Sequence, residues 1–198
     1  MKAAAVPRAT PPPPATDDPG GPPPSCHTLP DGQAILLRDV TPGDAPLLLG
    51  LLERVTGDAR RLRFFTGGAN LAAAAALEAR CDDTDGPRLG VVALSADGGE
   101  VLGHGMCVPA GAGTAEVAFE VADGYHRRGI GTVLFAHLVG GARAAGYAEL
   151  VAEVLPDNRD MRDLLTASGL AQTATTSEGI RHVRMPLGPA APERGARA

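Results

Sequence analysis

Small, apolar and acidic side chains alternate from Thr114 to Val121, and this period of two predicts a β-strand. After a short turn the period changes: Val133, Leu134, His137, Leu138 and Gly141 recur at helical spacing, so a helix follows the strand directly. Earlier in the chain, a strand over 35–40 runs into Thr41-Pro-Gly-Asp44, where a capping threonine, a proline at the first helical position and an acid at the third start a helix through Leu47, Leu48, Leu51, Leu52 and Val55. A second, alanine-rich helix covers 70–80. Apolar runs over 88–94 and 101–108 flank Ala96-Asp-Gly-Gly99 and predict a hairpin that continues into the 114–121 strand. Residues 149–155 form a strand that can rejoin the sheet only by a crossover, parallel to 114–121. A last helix over 158–168 stops at Gly169, and strands over 170–175 and 180–185 close the sheet as a hairpin. The fold class is α/β: a mixed, mostly antiparallel central sheet flanked by helices, in the order β-α-α-β-β-β-α-β-α-β-β.

The ends break this pattern. Ten of the eighteen prolines fall between Met1 and Pro30, with unbroken runs at Pro11 to Pro14 and Pro22 to Pro24, which no hydrogen-bonded element accommodates. Residues 1–33 are therefore expected to be a disordered arm, 34–185 the folded domain and 186–198 a flexible tail. At 198 residues, one domain with a substantial core is the expectation. The formal charge of −5 and the scattered arginines offer no basic stripe for nucleic acid. No apolar run reaches the length of a membrane span, and Pro7 and Arg8 interrupt the only stretch that begins like an export signal. Cys26, Cys81 and Cys107 are far apart, without a Cys-x-x-Cys pair, which fits a reducing cytoplasm. The five histidines make no metal set, so no metal is expected; His104 and His137 read as packing residues.

The turn Tyr125-His-Arg-Arg-Gly-Ile-Gly-Thr132 carries the chemistry. It lies at a helix N-terminus, where the first amides have no intrahelical acceptor and the dipole favours an anion. Gly129 and Gly131 keep side chains away from such an anion, and Arg127 and Arg128 add positive charge. A dinucleotide fingerprint would need a third glycine where Leu134 stands, and a Walker loop would need a missing Gly-Lys-Ser/Thr ending. What remains resembles the pyrophosphate loop of the GCN5-related N-acetyltransferases, Gln/Arg-x-x-Gly-x-Gly/Ala, with His126 in the place of Gln or Arg. Closer still is the resemblance to the acetyltransferase domains of bacterial protein lysine acetyltransferases of the Pat type. It is carried by Arg63-Phe64-Phe65, by Thr114 to Phe119 and by Asn158-Arg-Asp-Met161, and covers residues 34–185.

This resemblance implies acetyl-CoA as co-substrate, held by His126, Arg127, Arg128, Gly129, Ile130, Gly131 and Thr132. A backbone amide between Phe119 and Val121, freed by a bulge, polarises the thioester, and Asn158 holds the pantetheine arm or caps its helix. The acceptor amine needs a base, because a lysine of pKa about 10.4 is almost wholly protonated at pH 7. Glu116 and Glu120 share one face of their strand. The resemblance gives Glu116 the role of base and leaves Glu120, nearer the loop, to orient substrate or to pack at the sheet rim. The last helix has no tyrosine to protonate the leaving thiolate, and neither Tyr125 nor Tyr147 receives a role. Arg60, Arg61 and Arg63 read as surface charge, or as a contact for an acidic protein. The acceptor is a protein lysine, with a small amine as one alternative and a non-catalytic acyl-CoA-binding module as another.

Overall fold

The computed structural model describes residues 23–188 except 56, 58–60, 62, 64–69 and 81–85. Residues 1–22 of the arm, 189–198 of the tail, and Arg60, Leu62, Phe64, Phe65 and Cys81 lie outside them.

Eight strands form one sheet in the order β1-β2-β3-β4-β5-β6-β8-β7. They are β1 (Ser25–Thr28), β2 (Ala34–Asp39), β3 (Leu89–Ser95), β4 (Val101–Pro109), β5 (Thr114–Val121), β6 (Glu149–Val154), β7 (Thr173–Ser177) and β8 (Ile180–Pro186). The described α-helices are α1 (Ala45–Glu53), α2 (Leu71–Glu78), α3 (Ile130–Ala144) and α4 (Arg159–Ala167). All neighbouring strands run antiparallel except β5 and β6, which are parallel as the crossover through α3 requires.

The alternation within each strand divides the core into two layers. Val91, Ala93, Leu102 and Val117 turn to one face, where Leu134, Phe135 and Leu138 of α3 cover them. Val92, Leu94 and Val101 turn to the other, under Leu48, Leu51 and Leu52 of α1 and Ala75 of α2. Gly103 and Gly105 permit close packing on the α3 side: a Cβ at the first would lie 2.9 Å from Ile130, and at the second 2.8 Å from the Phe119 ring. The capping box forms as the sequence predicts. Asp44 accepts the Thr41 amide at 2.7 Å, in a short 3₁₀ turn ahead of α1, and also binds both terminal nitrogens of Arg38 at 2.6 and 2.7 Å.

Three expectations are corrected. The ordered fold begins before residue 34, because Ser25 to Thr28 pair with Leu37 to Ala34 as an edge strand. Its residues carry no apolar alternation; the backbone ladder and the buried Leu29 in the following turn hold it. At the other end, Leu187 is buried, donates to Ala148 O at 2.8 Å and accepts from Arg143, so the fold extends past 185. The β5 register against β4 runs unbroken from Ala115 to Val121 without a bulge.

Candidate active site

The sheet itself opens the site. β5 stays paired with β4 as far as Val121, and β6 with β8 as far as Val154, but β5 and β6 pair only at Thr114↔Glu149, Ala115↔Leu150 and Glu116↔Val151. Past Glu116 the two strands part, and the β6-facing edge of β5 leaves its ladder. Parting therefore does what the expected bulge would do: it frees backbone polar groups around Phe119 to Val121 for a ligand. The resulting cleft holds a cavity of about 790 Å³, bordered by residues 116–121, by the loop before α3 and by one side of α4. That volume lies in the range of small-molecule sites.

The loop is built by left-handed backbone. Gly124, Arg127 and Gly129 have φ of 86°, 59° and 97°, and Gly129 is the N-cap of α3. The first helical hydrogen bond runs from Val133 N to Gly129 O at 3.1 Å, so the amides of Ile130, Gly131 and Thr132 precede the ladder and are available to an anion. His126, Arg127, Gly129, Ile130, Gly131 and Thr132 all border the cleft, as do Phe119, Val121 and Asn158. Arg128 does not. Its guanidinium turns outward to Asp31 at 2.6 Å and lies 5.3 Å from the centre of the Tyr125 ring. Asn158 caps α4, its Oδ1 accepting the Met161 amide at 3.0 Å, while also facing the cleft. The residues present thus fit an acyl-CoA: free amides at a helix N-terminus for the diphosphate and an unpaired strand edge for the pantetheine arm.

The two glutamates of β5 differ in environment. Glu116, at the apex of the cleft, is half-buried. Burial and the charge of Glu153 push its carboxyl above the ordinary range, with Arg63 opposing. The Glu120 side chain is fully enclosed: Oε2 accepts from Arg63 Nε at 2.7 Å, and Oε1 lies 2.5 Å from His104 Nδ1. Burial works against its charge, but Arg63 and His104 hold the carboxyl well below the usual range. Arg63 also donates to Glu78 Oε1 at 2.8 Å. Burial and the Glu120 charge push Glu78 up to about 9, and its Oε2 has no hydrogen-bond partner among the described residues. Glu78, His104 and Glu120 bring three donor atoms within 4.8 Å of one another, and the Arg63 guanidinium already supplies their cation.

Arg63 as surface charge is therefore corrected by burial and pairing, while Glu120 borders the cleft with each oxygen held by a partner. Arg61 pairs with Asp157 at 2.5 Å. Glu78, His104 and Glu153 escape sequence reading. His104 faces Glu120 across β4 and β5, and that register is the one signal that could have joined them.

Residues 58–170 match the acetyltransferase (GNAT) family. The chain belongs to that family. As a GNAT protein it is an N-acetyltransferase, and the family chemistry is acetyl transfer from acetyl-CoA. It is 30% identical over 145 residues to an acetyltransferase of Pseudomonas aeruginosa, covering 72% of this chain and 77% of that one. Among solved structures it is similar to the GNAT domain of S. lividans PAT, with 27% identity, a TM-score of 0.73, and coverage of 82% of this chain and 96% of that one. It also resembles a cAMP-binding acyltransferase from Mycobacterium smegmatis at 27% identity and a TM-score of 0.58, with 84% of this chain aligned to 48% of that protein. A phosphinothricin acetyltransferase from Sinorhizobium meliloti, solved with acetyl-CoA, shares the fold at 20% identity and a TM-score of 0.62. No helix among the described residues is long and apolar enough to cross a membrane.

Proposed function

We propose that this GNAT cleft transfers acetyl from acetyl-CoA to the side-chain amine of a protein lysine, by direct attack within a ternary complex, with Glu116 as general base. The position of Glu116 carries the reading. It is the last β5 residue paired to β6, so it stands where the strands part and the reacting groups would meet. Its neighbour Glu120 has both oxygens engaged, by Arg63 and His104.

Half-burial raises the Glu116 carboxyl toward the working pH, which suits a group that must take a proton and release it again. Glu116 removes one proton from the ammonium. The neutral amine then forms a C–N bond at the thioester carbonyl, the C–S bond breaks, and the thiolate leaves with the electron pair. Unladdered β5 amides support the negative charge that develops on the carbonyl oxygen. The nitrogen gives up its second proton to solvent as the amide forms, the thiolate takes one from solvent, and Glu116 returns its own to solvent.

The lysine assignment is supported by the three motif matches to Pat-type enzymes and by similarity to the S. lividans domain at 27% identity. The β6–β8–β7 end of the sheet beside the cleft is also accessible, with every residue of β7 exposed. Thiol release from acetyl-CoA against proteins and small amines tests the assignment, with mass spectrometry locating the acetyl group. Turnover confined to small amines would overturn it.

A further inference from the structure

We propose that Glu153 is a specificity-determining residue, whose carboxylate receives the acceptor as an alkylammonium cation and presents it to Glu116. The proposal rests on Glu116 being the base and adds the group that selects what reaches it.

Four observations converge on Glu153. It lies two residues beyond Val151, the last β6 partner of β5, and so on the opposite wall of the cleft from Glu116 and on the same face of the sheet. Its side chain is 43% exposed, in contrast to the fully enclosed Glu120. It is also close enough for its charge to act on Glu116. Finally, its direction is set: His182 Nδ1 lies 3.4 Å from Glu153 Oε1, and His182 is itself fixed by Ser177 Oγ at 2.9 Å from Nε2.

The two carboxylates divide the work by environment. A proton acceptor benefits from partial burial, which Glu116 has, whereas a group that receives a cation from solvent must be reachable, which the exposure of Glu153 provides. The other charged groups bordering the cleft include Arg127, which is positive, and Asp160 and Asp163 of α4; none of them stands on β6 across from Glu116. Arg63 is positive, Glu120 and Glu78 are bound to Arg63, and Glu149 of β6 is paired with Arg184 of β8. Asp160 of α4 stands 3.8 Å from His126, at the loop end of the cleft. An acceptor entering past Glu153 must carry its positive charge without an adjacent carboxylate, which the glutamate would repel. Lysine side chains and aliphatic diamines meet this condition, and the α-amine of a free amino acid does not.

The test compares Glu153→Gln, Glu153→Asp and the unchanged protein at pH 8 with two acceptors, the cation Nα-acetyl-lysine methylamide and the uncharged nucleophile hydroxylamine. Glu153→Gln is expected to raise KM for the lysine amide about fivefold, in keeping with a partly exposed ion pair, with kcat within about twofold. KM for hydroxylamine should not change, kcat should shift by no more than the same twofold, and Glu153→Asp should recover part of the KM for the lysine amide. An unchanged KM for the cation, or equal impairment with both acceptors, overturns the proposal. So does an unchanged protein that acetylates hydroxylamine but not the lysine amide. If Glu116→Gln alters neither acceptor, the base assignment fails, while a split between acceptors in Glu153→Gln still stands.

Discussion

Glu78 and Glu120 are both buried and both bonded to Arg63, yet replacing each by glutamine is expected to have opposite effects on stability. Glu78 is held as a neutral acid, with a carboxyl raised from 4.5 to about 9 by burial and by the charge of Glu120. Unfolded, it ionises near 4.5, so at pH 7 the chain must take up a proton to fold. A raised folded value means that the native state binds more protons than the unfolded one between 4.5 and about 9, so this group's contribution falls as pH rises through that window. Each pH unit above 4.5 costs about 1.4 kcal/mol, hence on the order of 3 kcal/mol at pH 7. Glu78→Gln keeps the shape and an oxygen for Arg63 while removing the proton uptake. It should stabilise the protein by about 1–3 kcal/mol at pH 7, and the gain should vanish toward pH 4.5. Glu120→Gln instead removes the charge that Arg63, 16% exposed, and His104 share, a loss of up to about 3–5 kcal/mol that is offset in part as Glu78 ionises beside Arg63. Urea unfolding of the three proteins at several pH values reads both effects. Equal destabilisation by the two substitutions, independent of pH, would refute the protonation argument and make Glu78 an ordinary ion-pair partner.

Further outcomes follow from the loop and from the lysine content. Gly131→Ala adds a methyl that among the described residues meets only Leu164, at 3.5 Å, so stability should hold, while calorimetry should find CoA affinity about tenfold weaker if the loop seats the diphosphate. Gly129→Ala should instead lower stability by at least about 1 kcal/mol, because its φ of 97° disfavours a side chain and the new Cβ would meet Pro30 at 3.0 Å; an unchanged Tm would contradict this. Lys2 is the only lysine, so self-acetylation should appear on Lys2 or the α-amine, and mass spectrometry finding acetyl on a residue of 34–185 would contradict amine chemistry.

The strand–turn–helix at the centre of the site was legible because one stretch of chain contains both periodicities and the glycines between them; β5 spans Thr114–Val121, as the alternation predicts. Asn158 and Gly129 likewise announce the starts of α4 and α3 through local chemistry alone. What escaped was non-local. Ser25 to Thr28 become a strand because β2 offers an edge, which no property of Ser-Cys-His-Thr signals. Glu120 reads in sequence as the twin of Glu116, and only partners distant in sequence distinguish them: Arg63, 57 residues away, and His104, 16 residues away. Arg128 sits beside the glycines like a phosphate ligand, yet Asp31, 97 residues earlier, turns it outward. The β7 strand carries no buried position, so its start at Thr173 was set by pairing with β8 and not by hydrophobic pattern.

The central claim, acetyl transfer with Glu116 as base, is tested most directly by thiol release from acetyl-CoA with Nα-acetyl-lysine methylamide, comparing the unchanged protein with Glu116→Gln from pH 6.5 to 9.5 while calorimetry follows CoA. Glu116→Gln is expected to lower kcat by roughly 10²- to 10⁴-fold at pH 7, with the deficit narrowing as pH rises and more amine is neutral unaided, and with CoA affinity unchanged. Near-normal turnover by folded Glu116→Gln at pH 7 would contradict the account.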